Sequence, residues 1–92
     1  MKVERARVFF EGRVQGVGFR YTCRNLAMGF SMTGYVRNLS DGRVELMAEG
    51  ERSEIEDFLD AIDKSHLKSF LRKQHIEWKA ATGEWKDFHI ED

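Results

Sequence analysis

Proline is absent from these 92 residues, and cysteine occurs once, at Cys23. Without proline the chain holds no stiff linker and no polyproline ligand. A lone cysteine cannot form an internal disulfide, which points to a reducing compartment. A long apolar run is also missing. The chain opens Met1-Lys2-Val3-Glu4-Arg5, charged from the start, so neither a signal peptide nor a membrane span is expected. Fifteen Lys and Arg stand against sixteen Asp and Glu, a net charge of −1. No global field therefore draws the protein to nucleic acid or an anionic membrane, and any bound anion must be held by a local site. Internal repeats and low-complexity stretches are missing too. What is present, 41% hydrophobic and 34% charged residues, suits a globular fold and excludes a disordered chain. Ninety-two residues are expected to form one domain, 1–92, because half of them could not bury a core. The expected setting is cytoplasmic, and the expected state a monomer.

Residues 5–13 alternate Ala6, Val8 and Phe10 with Arg7, Phe9 and Glu11, the period of a strand. A loop with two glycines, Val14-Gln15-Gly16-Val17-Gly18, follows. Phe19, Thr22, Cys23, Leu26, Ala27 and Phe30 then repeat at helical spacing, and Gly29 predicts an end between Met28 and Phe30. A second strand is expected over 32–38. Leu39-Ser40-Asp41-Gly42 reads as a hairpin turn, and a third strand runs from 43 to 49. Ser53-x-x-Glu56 has the form of a capping box ahead of a helix striped by Ile55, Phe58, Leu59 and Ile62. Its end is expected near Ser65, and 63–73 carry no assignable period. A fourth strand is expected over 74–79, with Phe88 and Ile90 as a short terminal one. The order β-α-β-β-α-β predicts an α+β, ferredoxin-like sandwich: an antiparallel sheet with two helices on one face.

Chemistry concentrates where the first strand meets the first helix. Amides at a helix N-terminus lack intrahelical partners and lie at the positive end of the dipole, so 15–19 suit a phosphate. Arg20, in the first turn, opposes that dipole unless an anion sits there, and its guanidinium offers a planar clamp. By spacing alone, a tight turn with Arg20 pointing into water is slightly the favoured reading. No dinucleotide or P-loop pattern is present, since Tyr21 stands where the third glycine belongs. In a split βαβ unit the first two strands are parallel around the third. Their C-terminal ends then share one sheet edge, roughly 10 Å apart at two strand spacings. That topology brings Asn38, able to orient a water, towards the loop. Without the topology Asn38 would read as an ordinary hairpin residue.

Two blocks carry a wider resemblance. Gly12-Arg13-Val14-Gln15-Gly16-Val17-Gly18-Phe19-Arg20 and Gly34-Tyr35-Val36-Arg37-Asn38-Leu39-Ser40-Asp41-Gly42-Arg43-Val44-Glu45 resemble the two signatures of the acylphosphatase family, at the family's spacing. The resemblance implies metal-free, cofactor-free hydrolysis of the carboxyl–phosphate bond without a covalent intermediate. It places the phosphate-binding arginine on Arg20, the water-orienting asparagine on Asn38, and the binding-loop amides on Gln15, Gly16, Val17, Gly18 and Phe19. The implied partners are an acyl phosphate and, as product and competitor, inorganic phosphate. Two departures bear on loop shape. Ser31 stands where the family has a glycine, a role expected to pass to Gly29, and 63–71 lack the usual Gly-Pro pair.

Other residues read as structural. His66, His75 and His89 lack metal-ligand spacing. Cys23 falls on the apolar helix face. Glu51, Glu54, Glu56, Asp57 and Asp60 form a solvated flank of the second helix, and Tyr35 and Trp78 pack against or rim the sheet. RNA binding on this plan needs aromatics on the third strand, which has none. A catalytically idle anion-binding or regulatory domain remains the alternative. A module of larger carbamoyl-transfer proteins is disfavoured, because the chain is expected to be complete at both ends.

Overall fold

The computed structural model describes residues 2–92. Alternating apolar side chains draw β1 (Val3–Gly12), β2 (Met32–Asn38), β3 (Val44–Glu51) and β4 (Leu71–Ala80) into one sheet. Its inner face, from Ala6, Val8, Phe10, Val36, Leu46 and Ala48, is fully buried. Helices α1 (Phe19–Ala27) and α2 (Arg52–Asp63) cover that face with Phe19, Cys23, Ile55, Phe58 and Ile62. Sheet order is β4-β1-β3-β2-β5, with β5 at Phe88–Ile90. The ferredoxin-like α+β sandwich is thus present, and β3 lies between the parallel pair β1 and β2.

Several local expectations need correction. The sheet is mixed rather than antiparallel throughout, because β5 pairs with β2 in parallel. Residues 81–87 cross the sheet's open face from one edge to the other, anchored where Trp85 packs edge-to-face with Tyr35 and Arg5 lies over Trp85. The chain therefore re-enters the sheet at the starting end of β2. The Ser53 capping box does not form. Strand β3 runs straight into α2, Glu51 takes the N-cap position in extended conformation, and Ser53 falls inside the helix. Gly29 provides no left-handed stop either: the chain leaves α1 through successive i→i−3 bonds at 28, 29 and 30, with Met28 right-handed. Helix α2 ends at Asp63, and the unassigned stretch folds as a 3-10 helix over His66–Phe70, capped by Ser65, whose hydroxyl accepts from the Leu67 amide at 3.1 Å. Strand β4 consequently begins at Leu71, three residues early, through a bulge at Glu11/Gly12.

The open face is not simply solvated. Glu45 and Glu49 are buried there at 1% and 5% exposure. Glu45 accepts from Arg7 Nε, Arg37 Nε and the Tyr35 hydroxyl at 2.8, 2.6 and 3.1 Å. Glu49 accepts from Arg5 and from the amides of Thr82 and Gly83. Burial raises its pKa, but these donors outweigh that and hold it below the ordinary value. No helix is long and apolar enough among the described residues to cross a membrane.

Candidate active site

The loop after β1 is held at both ends and open in its middle. Val14 is fully buried, and Phe19 packs on Phe10 with ring centroids 5.0 Å apart. At the loop's base the Arg13 amide donates to the Phe70 carbonyl at 3.0 Å. Gly16 and Gly18 both adopt left-handed backbone at φ 78°, a region costly for residues with a Cβ. Gly18 is also the N-cap of α1, with no side-chain cap and no acidic residue in the first turn. Among the described residues, none of the amides of 15–19 donates a hydrogen bond within the protein. Five amide donors beside a positive helix end thus have no partner within the protein.

Gln15 performs a task its sequence position did not reveal. Its carboxamide donates to the carbonyls of Leu39 and Arg43 at 2.7 and 3.0 Å, tying the loop to the β2–β3 hairpin. The hairpin closes through the Leu39 amide to Arg43 and a Gly42 at φ 96°, as Asp-Gly predicts. Register completes the placement. Phe10 pairs with Val44, and Val44 pairs with Asn38, so Phe10 and Asn38 stand on one row of the sheet across β3. Asn38 Oδ1 is the one buried side-chain polar atom among the described residues without a hydrogen-bond partner. An unpaired buried acceptor costs about 1–3 kcal/mol, so its retention needs a reason.

Arg20 lies in the first turn of α1, one-third exposed. Its one ion-pair partner among the described residues is Asp92, 4.0 Å from Nη1 and itself fully exposed. That is a long contact with an exposed side chain, whereas carboxylates hold Arg5, Arg7 and Arg37 at 2.9, 2.8 and 2.6 Å. The residues read as structural have other surroundings. Cys23 is buried in the core and its thiol is pushed up to about 12 by burial, so it is inert. His89 bonds Asp87 and Glu91, and no three His, Cys, Asp or Glu side chains among the described residues gather as a metal site.

Fold and edge together define an α+β sandwich whose first strand–helix loop leaves its amides unbonded at a helix N-terminus. Comparison narrows that class. The acylphosphatase family model matches residues 6–90. An acylphosphatase of Roseiflexus sp. (strain RS-1) is 41% identical over 90 residues, covering 98% of this chain and 97% of that one. The crystal structure of the Bacillus subtilis acylphosphatase superposes with a TM-score of 0.88 at 31% identity, covering 97% of this chain and 99% of that one. A structure of full-length HypF matches at TM-score 0.87 and 29% identity, covering 99% of this chain but 12% of that protein. The chain belongs to the acylphosphatase family and is an enzyme of that class, hydrolysing acyl phosphates.

Proposed function

We propose that the hydrolysis is carried by Arg20 and Asn38, with the amides of Gln15, Gly16, Val17, Gly18 and Phe19 as the phosphate cradle. The carrying observation is the coincidence of unbonded loop amides, an uncommitted guanidinium and an unpaired buried amide oxygen on one sheet edge. An acyl phosphate is already activated, so the enzyme's task is to neutralise phosphoryl oxygens and align a water. Loop amides and Arg20 take the charge, and Asn38 Oδ1 accepts a hydrogen bond from the attacking water. Water oxygen bonds to phosphorus, the P–O bond to the acyl group breaks, and its electron pair leaves with the carboxylate. The water's proton passes to the phosphate itself, since no general base lies among these residues. Neither metal nor cofactor takes part. Inorganic phosphate, as product, competes for the same cradle.

Every proposed group lies on one chain, which supports a monomer acting as one domain over 1–92. The single buried cysteine supports a cytoplasmic setting. The deciding experiment follows benzoyl phosphate hydrolysis with chelator present, in the wild type beside Arg20→Ala and Asn38→Ala. Turnover lost in both folded variants is expected. Near-full rates in either would remove that residue from the mechanism.

A further inference from the structure

At the foot of the phosphate loop lies a groove of about 590 Å³, lined by Glu11, Gly12, Arg13, Arg72 and Lys73. None of its three cations forms an ion pair among the described residues, whereas Arg5, Arg7, Arg37, Arg43 and Arg52 are each held by a carboxylate. The bulge at Glu11/Gly12 and the early start of β4 bring Arg72 and Lys73 beside Arg13, two residues from Gln15. Three free cations against one carboxylate leave a positive hollow next to the proposed reaction centre.

In-line displacement gives that hollow a direction. The attacking and leaving oxygens stand on opposite sides of phosphorus. Sheet order β4-β1-β3-β2 puts Asn38, on β2, to one side of the loop and β4 to the other. With water held at Asn38, the acyl group departs towards β1 and β4, where Arg13, Arg72 and Lys73 line the groove. We infer that the preferred acyl phosphate carries a second anionic group on its acyl part, of the kind a dicarboxylic acid presents, and that this groove receives it. The inference rests on the placement of water at Asn38. As the P–O bond breaks, negative charge develops on the departing carboxylate near the same cations, so they favour bond cleavage as well as binding.

Succinyl phosphate and butyryl phosphate have acyl chains of equal length and differ in the terminal carboxylate, so their kcat/KM ratio reads the groove directly. In the wild type at low salt, succinyl phosphate is expected to be favoured about tenfold. Raising salt to about 0.5 M should shrink that advantage by screening. An Arg72→Glu/Lys73→Glu double variant should bring the ratio below one, and Arg72→Gln/Lys73→Gln, free of charge reversal, should bring it towards one. Lys86→Glu, elsewhere on the surface, should leave it unchanged. A ratio in both double variants equal to the wild-type ratio, with butyryl phosphate still hydrolysed, overturns the inference and leaves the roles of Arg20 and Asn38 standing. A wild type inert towards both substrates overturns the mechanism and this inference together.

Discussion

Both helices pack on one face of one sheet, yet their N-termini are finished in opposite ways. Helix α2 leaves an extended Glu51 and carries Glu54 in its first turn. Its own first-turn arginine, Arg52, is neutralised by Glu4 and Glu56, so the helix dipole meets negative charge from its own chain. Glu54 further accepts from the Ser31 amide at 2.8 Å, stitching α2 to the end of α1. Helix α1 starts from a left-handed Gly18, has no acid in its first turn and places Arg20 there instead. A terminus arranged in that way is unfavourable until an anion arrives. The same contrast recurs at Glu49, a carboxylate already resting on the amides of Thr82 and Gly83 at 2.8 and 2.9 Å. Where the fold needs an anion for itself it supplies one; at 15–20 it does not.

Breaking the contrast at its centre should have the largest effect. Arg20→Ala is expected to lower kcat/KM for benzoyl phosphate about 10³-fold, with circular dichroism unchanged. Next comes Asn38→Ala, which should lower kcat about 10²-fold and raise stability by about 1 kcal/mol, because it removes a buried acceptor without a partner. Urea unfolding checks the second half, and a variant both slower and less stable would contradict it. A smaller effect should follow from giving α1 the acid it lacks. Tyr21 is exposed in the first turn, and Tyr21→Glu should weaken competitive inhibition by phosphate about tenfold while stabilising the helix by about 0.5 kcal/mol. Glu49→Gln should be the mildest. The folded pKa of Glu49 lies below its ordinary value of 4.5, so its stabilisation is present above that pH and lost as pH falls through the folded pKa. Melting temperature measured downward from pH 6 should therefore drop more steeply in the wild type than in the variant.

Much of this edge was legible because its signals are local. Alternation in β1, the paired glycines, the helical spacing from Phe19 and the Asp41-Gly42 turn each answer to short-range sterics. Together they predict the loop and Asn38 on a common edge. What stayed hidden depends on partners distant in sequence. Glu45 and Glu49 alternate with Leu46 and Ala48 and so read as solvent-facing, yet Arg7, Arg37 and Arg5 from other strands bury them. The bond from Gln15 to Leu39 and Arg43 spans more than twenty residues. Ser53 fitted a capping box, but the direct run of β3 into α2 overrode it. Residues 66–70 lack periodicity because a 3-10 turn has no long face to bury. The parallel direction of β5 follows from the path of 81–87 across the sheet, which three strand residues cannot reveal.

The row Phe10–Val44–Asn38 has a consequence for how the enzyme comes into being. Strand β3 is the wedge that both parallel strands need, so β1 and β2 gain no common neighbour until the 39–43 hairpin has closed and β1 has found it over some thirty-five intervening residues. That long-range closure is the entropically slow part of assembly, and no half-formed species holds the loop opposite Asn38. With no proline in the chain to impose a later isomerisation, catalytic rate should return on dilution from denaturant in step with the tryptophan signal. Activity in this molecule is thereby a clock for its own folding.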